Sequence, residues 1–232
     1  MTGPAHDSVL NNLRAAFEPH GIFLRGVVTF GEDEPAPLLA NGRPALSVVL
    51  LGNVGRSIWP DFTRWQGLPE NRDRPDPLDN WSKAVIGPVA QAFGATAYFP
   101  SDPPWQPFQQ WATQAEGLRA SPLGILVHPH YGLWHGYRGA LGFGDVLPAN
   151  GSVAAPHPCD QCADRPCLST CPASAVESDG FHVEACRQHL GTAQGRTGCM
   201  SSGCLARNAC PVGADYRYGP EQLQFHMAAL DL

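Results

Sequence analysis

Eight cysteines fall between Cys159 and Cys210, and the chain has no others. The first four read Cys159-x2-Cys162-x4-Cys167-x3-Cys171, and Cys171 is followed by Pro172. The last of the eight is also followed by proline, Pro211. Cysteines spaced this way hold iron–sulfur clusters, because closely spaced thiolates in a loop wrap one cluster while a remote Cys-Pro supplies the fourth corner. The pattern implies a redox protein.

In two-cluster ferredoxins the fourth cysteine of each run ligates the other cluster. Applied here, one [4Fe–4S] cluster takes Cys159, Cys162, Cys167 and Cys210, and a second takes Cys171, Cys186, Cys199 and Cys204. The second run is looser: twelve residues separate Cys186 from Cys199, four separate Cys199 from Cys204, and five separate Cys204 from Cys210. The alternative is zinc, since four thiolates also hold that ion tetrahedrally.

Composition narrows the remaining classes. The chain has 232 residues, 43% of them apolar and 16% charged, which is enough for a packed core. Its 25 glycines and 23 prolines are dispersed, so many loops are expected. A net charge of −6 with only 15 Lys and Arg argues against a nucleic-acid partner, which needs clustered cations. No secretory signal is read in Met1–Phe17. The aliphatic run Ala45–Leu51 is far short of the ~20 residues of a membrane helix. A cytoplasmic protein with no membrane partner is expected, and there a dense cysteine cluster binds metal rather than forming disulfides.

The two halves differ. All six tryptophans lie within the first 134 residues and all eight cysteines after residue 158. Pro, Gly, Asn and Ser punctuate Leu147–Pro156, which reads as a linker. The expected domains are therefore 1–150 and 151–232. In the first, Asp7 or Ser8 caps a helix carrying Leu10, Leu13 and Phe17; Gly26–Phe30 and Leu46–Leu51 are strands; Trp81–Phe93 and Pro107–Leu118 are helices; Gly124–His128 is a strand. Pro88 should kink or bound its helix. This order implies an α+β or α/β domain round one sheet. The tryptophans read as core.

The segment Cys159–Val176, with Cys186-Arg-Gln-His-Leu190, Gly198-Cys199 and Cys210-Pro211, resembles the ferredoxin-like domain of epoxyqueuosine reductases and reductive dehalogenases. Gly124–Gly139, containing His128-Pro-His-Tyr-Gly-Leu-Trp-His135, is similar to a segment of CblC, the cobalamin-processing family, and Asp61–Phe99 has a similar layout. The resemblances imply an α+β chain: a nitroreductase-like sheet-and-helix domain, then a small ferredoxin-like iron–sulfur domain ending in a helix. They also imply a cobalamin-type corrinoid in the first domain, or less readily FMN, and removal of the corrinoid's upper ligand. The chain departs from these families. It lacks the C-terminal helical repeats of epoxyqueuosine reductases and the leader of respiratory dehalogenases, and familiar CblC proteins have no iron–sulfur module.

A corrinoid is a broad macrocycle with amide arms and needs an aromatic, apolar pocket with a few polar groups. His128, His130, Tyr131, Trp134, Tyr137 and Arg138 are the candidates, with His128 foremost by resemblance; a strand-end histidine satisfied by backbone is its plain alternative. No catalytic residue stands out, although Tyr131 or Tyr137 could donate a proton. His157, His182 and His189 read as ordinary packing or surface residues. Three functions follow: reduction of a bound corrinoid, drawing electrons from a separate donor; reduction of a small organic substrate by bound corrinoid or flavin; or electron carriage to a docked partner.

Overall fold

In a computed structural model of the chain, residues 4–149 and 156–230 are described, with side chains from residue 8 onward. They form two compact units: one from the residues up to Gly117 with 136–149, the other from Leu118–His135 with those from 156 on. The boundary expected near residue 150 lies outside the described residues. The residues 118–135, expected in the first domain, group with the cysteines.

In chain order the elements are α1 (Pro4–Phe17), β1 (Phe23–Thr29), β2 (Ser47–Val54), α2 (Trp59–Gln66), α3 (Pro77–Ala92), β3 (Thr96–Tyr98) and α4 (Phe108–Glu116). Then come β4 (Arg119–Ala120), β5 (Leu126–Val127), β6 (His135–Phe143), α5 (Pro166–Thr170) and α6 (Val183–Leu190). Last are α7 (Ala193–Thr197), α8 (Cys199–Ser202), α9 (Leu205–Asn208) and α10 (Pro220–Ala228). The class is mixed α and β, as expected.

The first unit is built on a four-stranded sheet in the order β1-β2-β6-β3. β2 is buried from Ser47 to Asn53, which its unbroken apolar run anticipates for a central strand. Leu13 and Phe17 of α1, Phe62 of α2, and Trp81 and Ile86 of α3 are all fully buried. Pro88 sits inside α3 rather than at its boundary. The tryptophans divide: Trp59, Trp81 and Trp111 are core, whereas Trp105 is 76% exposed. Asp61 of α2 ties two of these layers, accepting from Trp81 Nε1 at 3.2 Å and lying 2.8 Å from His20 Nδ1.

One irregularity in the sheet has a clear purpose. β1 and β2 pair antiparallel, but the register slips between Leu24 and Gly26, leaving Arg25 as the extra residue of a β-bulge. A bulge bends its strand and re-aims a side chain. Arg25 turns inward, 4% exposed, and its Nε and NH2 donate to the two oxygens of Glu116 at 2.9 and 3.1 Å. Gly26 permits the approach: its φ is +123°, and a Cβ there would stand 2.9 Å from that of Ala115.

The second unit carries little regular structure. β4 and β5 form an antiparallel pair, and the helices run from four to nine residues. Its core is Leu123, Val127, Leu133, Val176 and Ala206, against which five of the cysteines pack. A smaller cluster joins Leu190, Cys199 and Met227. Among the described residues, no helix is long and apolar enough to cross a membrane.

Candidate functional site

The eight thiols separate into two groups in space. Cys159, Cys162, Cys167 and Cys210 line one cavity of about 490 Å³, walled also by the β4–β5 hairpin and His157. Cys171, Cys186, Cys199 and Cys204 line another of only about 20 Å³, closed by apolar residues including Phe181, Leu190 and Met227. All eight are free. These are the two sets that the interlocked spacing implies, with Cys210 joining the first run and Cys171 the second.

Short turns and single helical turns place the sulfurs. Pro166 opens α5, which carries Cys167, and Cys171 ends it in an extended conformation. Cys199 begins α8, Cys204 precedes α9, and Cys186 lies in α6. Peptide N–H groups point at several sulfurs. Ala175 donates to Cys171 Sγ at 3.3 Å, Val212 donates to Cys210, Ala206 and Arg207 donate to Cys204, and Leu168 donates to Cys167.

Burial pushes Cys159, Cys167, Cys186, Cys204 and Cys210 up, and neighbouring thiols within each set push further. Cys159 is raised by burial, then by Cys210, Cys167 and Cys162. Cys186 reaches about 11, raised by burial, then by Cys204, Cys171 and Cys199. Among the described residues no three His, Cys, Asp or Glu side chains stand close enough to hold a single metal ion.

The six expected corrinoid-facing residues fall in both units. His128, His130, Tyr131 and Trp134 belong to the cysteine-bearing unit, whereas Tyr137 and Arg138 belong to the sheet unit. None of them lines the two thiol cavities. His128 follows β5 in a tight turn, its backbone paired both ways with Gly132 at 2.9 Å. Its Nδ1 accepts from the N–H groups of His130 and Tyr131 at 3.0 and 3.1 Å, and its ring stacks on Tyr131 with centroids 4.2 Å apart. An Nδ1 that accepts two N–H groups is not open as a metal-binding lone pair. His130 Nε2 meets the Tyr216 hydroxyl at 2.6 Å on the exposed side.

Trp134 is fully buried, covered by the Arg207 guanidinium 4.5 Å from its ring centroid, and Arg207 also donates to the Leu133 carbonyl at 2.5 Å. In the other unit Tyr137 donates a short hydrogen bond to Glu116. Burial pushes both groups up. For Glu116 it outweighs Arg25 and the Tyr137 hydrogen bond, and for Tyr137 the Glu116 charge adds to it. The Arg25–Glu116–Tyr137 group was not legible in the sequence. The bulge that aims Arg25 is a pairing event with no composition signal.

No family model matches the chain, and no curated protein does. The resemblance to ferredoxin-like domains therefore rests on the cysteine spacing. Among solved structures, the chain is similar to the Caenorhabditis elegans B12-trafficking protein CblC, a human MMACHC homologue. The TM-score is 0.55 and the identity 13%, over 97% of this chain and 92% of that one. At that identity the likeness shows a shared fold.

Proposed function

We propose that the chain is a two-cluster iron–sulfur redox protein that binds a cobalamin-type corrinoid as its substrate and reduces it, so that the cobalt gives up its upper ligand. The observation that carries this reading is the sorting of eight cysteines into two sets of four, each round its own cavity. Zinc is the alternative for thiolates so spaced, and the two Cys-Pro endings with eight cysteines in two interlocked sets favour iron and sulfide.

Bound [4Fe–4S] clusters supply single electrons. The chain's own residues do the rest. The thiols hold the iron, the peptide N–H groups on sulfur stabilise the reduced, more negative state, and Phe181, Leu190 and Met227 keep water from the second set. The corrinoid assignment draws on the fold shared with a B12-trafficking protein. Of the six candidates, His128 and the His130–Tyr131 edge are the groups proposed to meet it, with Trp134, Tyr137 and Arg138 in support.

The test is an anaerobic titration of the iron- and sulfide-reconstituted protein with hydroxocobalamin, followed by visible absorption. About eight iron and eight sulfide per chain, with a saturable shift of the corrinoid bands and reduction of cobalt by added reductant, is the expected result. Clusters without a corrinoid shift would leave an electron carrier. Zinc in place of iron would overturn the redox reading.

A further inference from the structure

His157 does more than begin the turn into Cys159. Its side chain is 8% exposed. Its Nδ1 accepts the Cys159 N–H at 3.2 Å. An accepting Nδ1 fixes the tautomer of the neutral ring, because the proton must then sit on Nε2. That Nε2 is buried and has no hydrogen-bond partner among the described residues. A buried N–H without an acceptor is costly, and native proteins rarely leave one so. His157 also lines the cavity of Cys159, Cys162, Cys167 and Cys210. Asp160 gives the ring no alternative acceptor for Nε2, since its nearest approach is 3.9 Å to Nδ1.

We infer that the Nε2–H of His157 is a built-in donor to a sulfur of the cluster held by the first set, and that His157 is the positioning residue that raises that cluster's reduction potential above that of the second. The inference rests on the iron–sulfur reading above. A donor to a cluster sulfur stabilises the reduced form, which carries one more negative charge, and so makes reduction easier. Among the described residues lining the second set's cavity there is no such side chain. Its cavity wall offers peptide N–H groups and apolar residues, and His189 in that wall has an exposed neighbourhood on α6 rather than a buried, partnerless nitrogen. The difference gives electrons a direction, with the first set the easier to reduce.

The experiment uses the full chain, reconstituted anaerobically, with iron and sulfide content read first. His157→Phe keeps the ring and removes the donor; His157→Gln retains an N–H. Potentiometric titration followed by electron paramagnetic resonance should show the first cluster of His157→Phe about tenfold harder to reduce, a shift of about −59 mV for one electron. The second cluster should be unmoved, and His157→Gln should recover most of the loss. In the unaltered protein carrying ¹⁵N-histidine, pulsed paramagnetic resonance of the reduced first cluster should show nitrogen and exchangeable-proton coupling. This arm needs no variant to fold. Clusters present with no such coupling, or with equal potentials in wild type and His157→Phe, would overturn the inference while leaving the iron–sulfur reading intact. Absence of iron and sulfide from the wild type would overturn both.

Discussion

Gly132 and Val212 meet backbone to backbone. A Cβ on Gly132 would fall on the Val212 carbonyl oxygen, and one on Gly213 would fall on the Tyr131 carbonyl. The His128–Gly132 turn is thereby seated against the loop that follows Cys210. Two segments about eighty residues apart in sequence form one rigid junction, and the thiol that completes the first set hangs from it.

That junction predicts the result of the smallest change. Gly132 has φ +58°, so Gly132→Ala carries both the clash and the cost of a left-handed backbone. The expected loss is about 3 kcal/mol of stability, together with iron from the first set in preference to the second. Thermal unfolding and iron content of the purified variant measure both; retention of all iron at unchanged stability would show that the turn and the Cys210 loop are not coupled.

The partition of thiols is testable one at a time. Cys210→Ser and Cys162→Ser should remove the same cluster, and Cys171→Ser and Cys204→Ser the other, each leaving about half the iron. Paramagnetic resonance spectra should match within each pair and differ between pairs. If Cys210→Ser instead matched Cys204→Ser, the cross-over of ligands would be wrong.

Glu116 is held by Arg25, 3% exposed at its side chain, and by Tyr137. Removing one partner of a buried pair strands the other, so Glu116→Ala should destabilise the sheet unit by about 3 kcal/mol. The combined Arg25→Met, Glu116→Leu, Tyr137→Phe variant, in which no charge is stranded, should recover most of that. Denaturant unfolding of the two variants gives the comparison.

A smaller effect is expected at Asp61. Asp61→Ala takes the acceptor from the indole N–H of Trp81, whose side chain is fully buried, at a cost of about 2 kcal/mol. Asp61→Asn, which keeps one oxygen, should lose less. Equal losses in the two variants would mean that the indole hydrogen bond contributes nothing.

Tyr98 gives the alkaline limb of stability. Its hydroxyl donates to the Leu38 carbonyl at 3.1 Å, and burial pushes its pKa from the ordinary 10 to about 12. Between these values the unfolded chain has lost the phenolic proton and the folded chain keeps it. The folded state then binds more protons, so this contribution is whole below about pH 10 and falls as pH rises toward 12. The stability difference between wild type and Tyr98→Phe should shrink across that window. A flat difference would place the titration elsewhere.

The sequence announces some of this and hides the rest for physical reasons. β2 was legible because a strand buried on both faces must be continuously apolar, and α4 because Phe108, Trp111, Ala112 and Ala115 repeat at helical spacing and are buried. β6 was not, because its three glycines count against a strand. Their reason is tertiary: a Cβ on Gly139 would stand 2.8 Å from Ile86 Cδ1, and one on Gly142 would strike the Tyr98 ring. The spacing of the cysteines implied two sets of four, and the same fours line the two cavities. What spacing could not reveal was that Leu118–His135 folds with them, since nothing local distinguishes a hairpin that packs on its own sheet from one that packs on a later segment.

The crossing of the two thiol sets has a mechanical consequence. Cys167 and Cys171 join them through α5, and Cys204 and Cys210 join them through α9, so two separate stretches of backbone tether one site to the other. A single nick in either stretch leaves the second as a bridge, and a cut between residues 172 and 185 severs neither. The spacing between the two sites is thus fastened twice, and a protease must cut at both places before they can drift apart.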